Sequence, residues 1–394
     1  MKNTFLKAGL ILAAGVFVAS CSSDSDSGVS KQAVVKNYAD IVYQNYKDAY
    51  DDAVQLETAI NTFTTTPTDA NFTAVKNKWK QARESYGTTE AFRFANGPID
   101  DEADGPEGLL NSWPLDENFI DYVDDNGTIV NGGIINNPGL YPTIDKPTLE
   151  ALNANTSEEN ISVGYHAIEF LLWGQDLTAP SANLPGQRPY TDYVVGAGGT
   201  ATNQARRATY LKVCADLLTD NLDYLVDQWK AGGTYRTVFL NLPVDTAIRN
   251  IYLGITTLVL TELPIERMDV ALSNESQEDE HSCFSDNTHR DIYLNLKGII
   301  NVYKGEYQYG SSNISGASLE DLVQKADATA YNDTETSLNA CLTKMAAIPV
   351  PFDLAISGGA GSADGQKVKA TVLQLQNFGS NLLAGATKIG ITVN

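Results

Sequence analysis

Histidine is nearly missing from this chain: three occur in 394 residues, at 166, 281 and 289. No H-E-x-x-H is present, so the paired imidazoles and adjacent base of that zinc-peptidase class are excluded. Residue 170 is Phe, which excludes H-x-x-E-H as well. Cysteine is almost as scarce. Cys214, Cys283 and Cys341 follow Cys21 at wide spacing, an odd set that excludes a disulfide framework and a zinc ribbon. Cys214 falls on an apolar helical stripe, and a bond between Cys283 and Cys341 stays open. Basic charge is short: 27 Lys and Arg face 49 Asp and Glu, a net of −22. That balance argues against nucleic acid and anionic membrane surfaces as partners. It suits cations, although solubility alone accounts for it too. No apolar run reaches the ~20 residues of a membrane-spanning helix, and no segment alternates for long with period two.

What is present begins with an export signal. Lys2 and Lys7 precede an apolar stretch over 8–19, and Val18-Ala19-Ser20-Cys21 reads as a lipobox. The expectation is a signal peptide over 1–20, lipidation at Cys21 and a Ser/Asp-rich tether over 21–32 that cannot pack a core. Ser22 resembles outer-membrane sorting. The expected location is therefore the outer membrane, held through lipid alone, on its periplasmic or surface-exposed side.

The rest is dominated by helical spacing. Tyr38, Val42, Asn45, Ala49, Ala53, Leu56, Ile60 and Phe63 recur at three- and four-residue steps. Phe72, Val75, Trp79, Ala82 and Tyr86 repeat the pattern after a Thr-Pro-Thr-Asp break at 66–69. Leu211, Cys214, Leu218, Leu222, Leu225 and Trp229 form a third stripe, and Val368, Val372, Leu375, Phe378 and Leu382 a fourth. Such stripes demand partner helices. The spacing predicts further helices over 157–173, 244–272, 287–304 and 317–346. The reading is an all-α chain of two antiparallel helical bundles packed against each other, over 33–195 and 196–394. The first bundle carries a long acidic loop: residues 100–125 hold ten Asp or Glu and no Lys or Arg.

Chemistry concentrates in three segments. In Gly164-Tyr165-His166-Ala167-Ile168-Glu169, His and Glu three apart project from one helix face, as ligands do in metal-binding bundles. Imidazole with carboxylate suits iron, zinc or manganese, and Gly164 lets another backbone approach. A buried hydrogen-bonded pair is the competing reading. The second segment, Glu278 to His289, gathers His281, His289, several carboxylates and hydroxyls. Ser282, Ser285, Asp286 and His289 are its binding-site candidates, with Ser285 or Asp286 also fit to cap the following helix. In the third, Glu90 is a candidate third metal ligand held by Arg93, three residues on.

Taken together these segments resemble the imelysin family, sometimes classed as insulin-cleaving metallopeptidases. The family hallmark G-x-H-x-x-E is matched by Gly164, His166 and Glu169. The T-E-A-F-R-F and G-P-I-D segments, N-S-W-P-L at 111–115, E-L-P-I-E-R-M at 262–268 and E-D-E-H-S-C-F-S-D-N-T-H at 278–289 resemble imelysin-like lipoproteins of Bacteroidetes. Family members more often carry small residues where Leu263 and Pro264 stand. The resemblance spans roughly residues 35–385 and implies two helical bundles with a site between them. It implies either a zinc peptidase or, through related iron-uptake lipoproteins with the same motif, a protein of iron acquisition. The iron-linked reading is preferred, because only His166 and Glu169 are evident ligands and a catalytic zinc needs three. Its expected cofactor is an iron or zinc ion. Its expected partners are a metal ion or iron-carrying ligand and an outer-membrane uptake protein. A non-metal small-molecule or polysaccharide binding site is the third reading.

Overall fold

The computed structural model describes residues 29–393. The lipobox, the signal peptide and all but the last residues of the expected tether lie outside them. Helix α1 begins at Lys31, inside the range expected for the tether, where Ser30 accepts a hydrogen bond from the Ala33 N–H and so caps an otherwise orphaned donor.

Helix α1 runs Lys31–Thr65 and α2 runs Asp69–Tyr86, and every residue of their two predicted stripes is buried. Pro67 and the Thr68 cap make the corner between them. The hallmark segment forms α3, Gly164–Trp173, buried along its whole length. Helix α4, Gln204–Trp229, packs along α1 and α3. The boundary expected at 195/196 assigns α4 to the second bundle; its packing joins it instead to the helices that precede it, because Leu211, Leu218, Leu222 and Trp229 bury against that side.

The chain continues through α5, Val244–Thr257, which lies on α1, into a wide π-helical segment, Leu258–Asp269. A single regular helix over 244–272 was the expectation. Pro264 stands inside it without an N–H to donate, and the turns around it open to i→i+5 spacing. Helix α6, Thr288–Lys304, packs on this π segment and also on α2 and the turn 89–92. Helices α7, Ala328–Met345, and α8, Ala363–Lys388, pair with each other, and α8 covers the π segment.

Two short antiparallel hairpins interrupt the helices. One pairs β1, Val123–Asp125, with β2, Thr128–Val130; the other pairs β3, Glu306–Tyr309, with β4, Ser312–Ser315. The first turns on Asn126-Gly127, both at positive φ, the dipeptide that suits a tight hairpin. That signal was in the sequence, hidden by strands only three residues long. Cys214, Cys283 and Cys341 are free, so the Cys283–Cys341 bond is not formed. Among the described residues no helix is long and apolar enough to cross a membrane.

Candidate functional site

The centre lies where α2 and α3 face α6 and the π segment. Gly164 opens α3 at φ 91, and a Cβ there would stand 2.7 Å from the Leu110 carbonyl oxygen. A side chain would therefore push α3 off the segment that carries Asn111, which glycine avoids.

Two imidazole–carboxylate pairs meet edge to face. His166 Nδ1 lies 2.9 Å from Glu169 Oε2, and His281 Nδ1 lies 2.8 Å from Asp291 Oδ2. The two rings are 4.7 Å apart at 79°, and Trp113 packs on the far side of His281 at 5.6 Å. Glu169 Oε1 accepts from the Ser285 N–H at 2.9 Å and its hydroxyl at 2.7 Å. Ser282 Oγ donates to Asp291 Oδ2, and Arg83 Nε donates to Asp291 Oδ1 at 3.3 Å. Arg83 also donates to Asn111, whose amide donates to Glu90 Oε1 at 3.2 Å. Arg267, carried by the π segment, donates to Glu90 Oε2 at 2.6 Å and to Asn295 Oδ1 at 2.7 Å. All of these side chains except Trp113, which is half-buried, are buried.

Burial fixes the protonation pattern. Desolvation, reinforced at His166 by the Arg83 charge and at His281 by Arg267, pushes both histidines down to about 3, so both rings are neutral. Desolvation pushes Glu169 up to about 8, against the pull of the Ser285 hydroxyl. Glu90 and Asp291 go the other way despite burial: Arg267 and Arg93 hold Glu90 down to about 2, and Arg83 with His281 holds Asp291 below the usual carboxylate range. The centre therefore holds two firm ion pairs and one neutral pair. In that neutral pair a single proton decides what His166 offers. With Glu169 protonated toward Nδ1, the neutral ring carries its proton on Nε2; once Glu169 ionises and accepts from Nδ1–H, Nε2 presents a lone pair. His166 Nε2 is buried and has no hydrogen-bond partner, and it is the one imidazole nitrogen so placed.

The expected metal set of His166, Glu169 and Glu90 is not assembled. Both Glu90 oxygens are bonded, to Arg267 and Asn111, and both Glu169 oxygens are bonded, to His166 and Ser285. Two buried guanidinium groups stand beside them. What remains is an imidazole nitrogen without a carboxylate oxygen to join it. Among the described residues, no group of three or more His, Cys, Asp or Glu is placed to hold a metal ion. The donor set does not fit the iron or zinc ion expected there.

The other candidates divide. Ser285 and Ser282 reach the centre through the two carboxylates, and Ser285 caps no helix. Each serine hydroxyl donates to a carboxylate, Ser282 to Asp291 and Ser285 to Glu169, and neither to an imidazole. Asp286 sits at φ 56, half-buried, and does not cap α6 either; its carbonyl oxygen lies 3.0 Å from His289 Nδ1. His289 faces away, lining a shallow apolar cleft with Ile292, Leu342 and Val350. Arg93 pairs with Glu90 at 3.6 Å but more closely with Glu107, at 3.1 Å. Sequence reasoning paired His166 with Glu169, as the structure does, but named His289 where His281 supplies the second ring, and Asp291, Arg83, Arg267 and Asn111 were not selected. Their signal was available in part, since Arg83 falls on the apolar stripe Trp79–Ala82–Tyr86, where a guanidinium demands a buried partner.

Comparison with known proteins places this geometry in a lineage. Iron-regulated protein A of Synechococcus elongatus is 24% identical over 364 residues, covering 90% of this chain and 83% of that protein. A crystal structure from Parabacteroides distasonis, named as an iron-regulated protein A precursor, matches with a TM-score of 0.70 at 17% identity. It covers 93% of this chain and 97% of that one, and at such identity it shows a shared fold. The imelysin model, of peptidase family M75, matches residues 42–378. With the helical fold, the G-x-H-x-x-E segment at its heart and a match over most of its length, this chain belongs to the imelysin family.

Proposed function

We propose that the protein is a cell-envelope binding protein of iron acquisition, and that its buried centre recognises a polar group of an iron-carrying ligand rather than ligating the bare ion. The iron link rests on the relative named iron-regulated protein A, and the envelope location on the lipobox at Cys21. The observation that carries the binding reading is His166 Nε2, unpartnered in a network where the neighbouring carboxylates are satisfied. A buried polar atom without a partner costs about 1–3 kcal/mol, and a ligand group that pairs with it recovers that cost. Carboxylates behind both rings hold the imidazoles in place, as preorganised recognition requires.

The test is equilibrium binding of ferric citrate, beside zinc chloride and ferrous sulfate as bare-ion probes. Wild type should bind the ferric chelate, and His166→Ala should weaken it at least about tenfold, or 1.4 kcal/mol, with helical content unchanged. Tight retention of bare zinc or ferrous iron that Glu169→Ala abolishes would restore direct metal ligation. Insulin cleavage lost in Glu169→Ala, with folding intact, would favour the peptidase reading.

A further inference from the structure

A cavity of about 260 Å³ opens between the β1–β2 hairpin and the loop that follows α3, and it shares no residue with the imidazole centre. Its walls are tied together. The Asp124 N–H donates to Gln175 Oε1 at 2.7 Å, and the Arg188 N–H donates to the Trp173 carbonyl at 2.8 Å. Tyr122, Ile129, Leu177 and Pro189 supply apolar walls. Ile129 and Leu177 are 53% and 60% exposed, so two aliphatic side chains stand uncovered at the rim. Arg188 is the buried charge of this lining, its side chain 1% exposed.

The Arg188 guanidinium is under-used. Among the described residues it makes one hydrogen bond, from Nη1 to Asp121 Oδ2 at 2.7 Å, and its Nε is buried without an acceptor. Asp121 is mainly committed elsewhere: Arg207 holds both of its oxygens, at 2.6 and 2.8 Å. The next carboxylate, Asp192, stands 3.5 Å from Nη1. The rings of Tyr122 and Phe170 pack on the guanidinium, 4.9 and 5.2 Å from its Cζ, and hold the planar group with its Nε edge free. Gly174, in the same lining, lies beside that edge. A Cβ there would stand 3.5 Å from Nε, at φ 70, and glycine leaves the approach open. Leaving a buried N–H without an acceptor is costly, and a ligand oxygen removes the cost.

We propose that this cavity binds a small organic carboxylate, its oxygens on the Nε edge of Arg188 and its apolar body against Tyr122, Ile129 and Leu177. The Nε and Nη2 hydrogens of a guanidinium form a fork that matches the two oxygens of a carboxylate. With Arg207 already holding Asp121, the single charge of the ligand gives Arg188 an ion pair of its own. Asp124 lines the same cavity and would repel a doubly charged phosphate more strongly. The volume falls just under the ~300–1,000 Å³ usual for drug-sized ligands, which limits the occupant to a small acid.

The test is calorimetric titration of the purified protein with sodium phenylacetate and sodium butyrate, beside phenylacetamide, the uncharged counterpart of the first. Both acids should bind saturably with a Kd of about 1 mM or tighter, and phenylacetamide at least about tenfold more weakly. Arg188→Lys keeps a charge for Asp121 but has no fork, and it should weaken both acids at least about tenfold with helical content unchanged. Leu177→Glu leaves the Arg188 ion pair intact and places a like charge at the rim. It should weaken the acids severalfold at low salt and much less at about 0.5 M salt. Neither acid saturating by about 10 mM overturns the proposal. So does phenylacetamide binding as tightly as phenylacetate, or both variants binding the acids as wild type does.

Discussion

Replacing Glu169 by Gln tests the protonation pattern at the centre, because a buried carboxyl raised to about 8 reverses the usual acid behaviour of a carboxylate. Between pH 4.5 and 8 the unfolded chain has released this proton while the folded chain retains it. The folded state binds more protons there, so wild-type stability falls as pH rises through the window, by about 1.4 kcal/mol per unit. At about pH 7 the accumulated cost is roughly 3 kcal/mol. Gln cannot titrate, and its carbonyl still accepts from Ser285 while its amide donates to His166 Nδ1. Glu169→Gln should therefore be more stable than wild type by up to about 3 kcal/mol near neutrality. The gain should shrink as pH falls and vanish near 4.5, below which both forms of the residue are neutral in either state. Urea unfolding followed by helical circular dichroism, repeated across this range, reads the difference directly. A variant less stable than wild type near neutrality, by an amount insensitive to pH, would falsify the neutral pair. Glu169 would then be an ionised partner of a protonated His166.

Two further substitutions probe the frame around the centre. Arg267→Met leaves Glu90 buried with its main counter-charge gone, and unfolding free energy should drop by about 3–5 kcal/mol; a drop under about 1 kcal/mol would show that Arg93 alone suffices. Gly164→Ala places a Cβ against the Leu110 carbonyl at φ 91. A loss of about 2 kcal/mol or more is expected from backbone strain with that contact, and an unchanged melting temperature would remove Gly164 from the argument.

Periodicity carried most of the helical reading. The stripes of α1, α2, α4 and α8 are buried as their spacing demands, since an amphipathic helix can satisfy its apolar face in few ways. Periodicity failed where local chemistry was unusual, at the π segment around Pro264 and at two hairpins too short to alternate visibly. It also could not say which helices share a core. Helix α4 follows the glycine-rich stretch near 196–199 yet packs back on α1, because an apolar stripe specifies that it will be covered and not by what.

The candidate site divides along the same line. From the amino-acid sequence alone came the rarity of histidine, the helical i, i+3 placement of His166 and Glu169, and the crowding of polar groups over 278–289, all of which depend on residues close along the chain. The tertiary structure decided which groups meet and in what charge state. His281 reaches His166 from more than a hundred residues away, Arg267 takes Glu90 out of any metal set, and Ser285 turns to Glu169 instead of capping α6. The physical reason is burial. In water each of these side chains would keep its ordinary charge and its own hydration, whereas in the packed interior every charge must find a partner or be neutralised, and only the three-dimensional neighbours determine which.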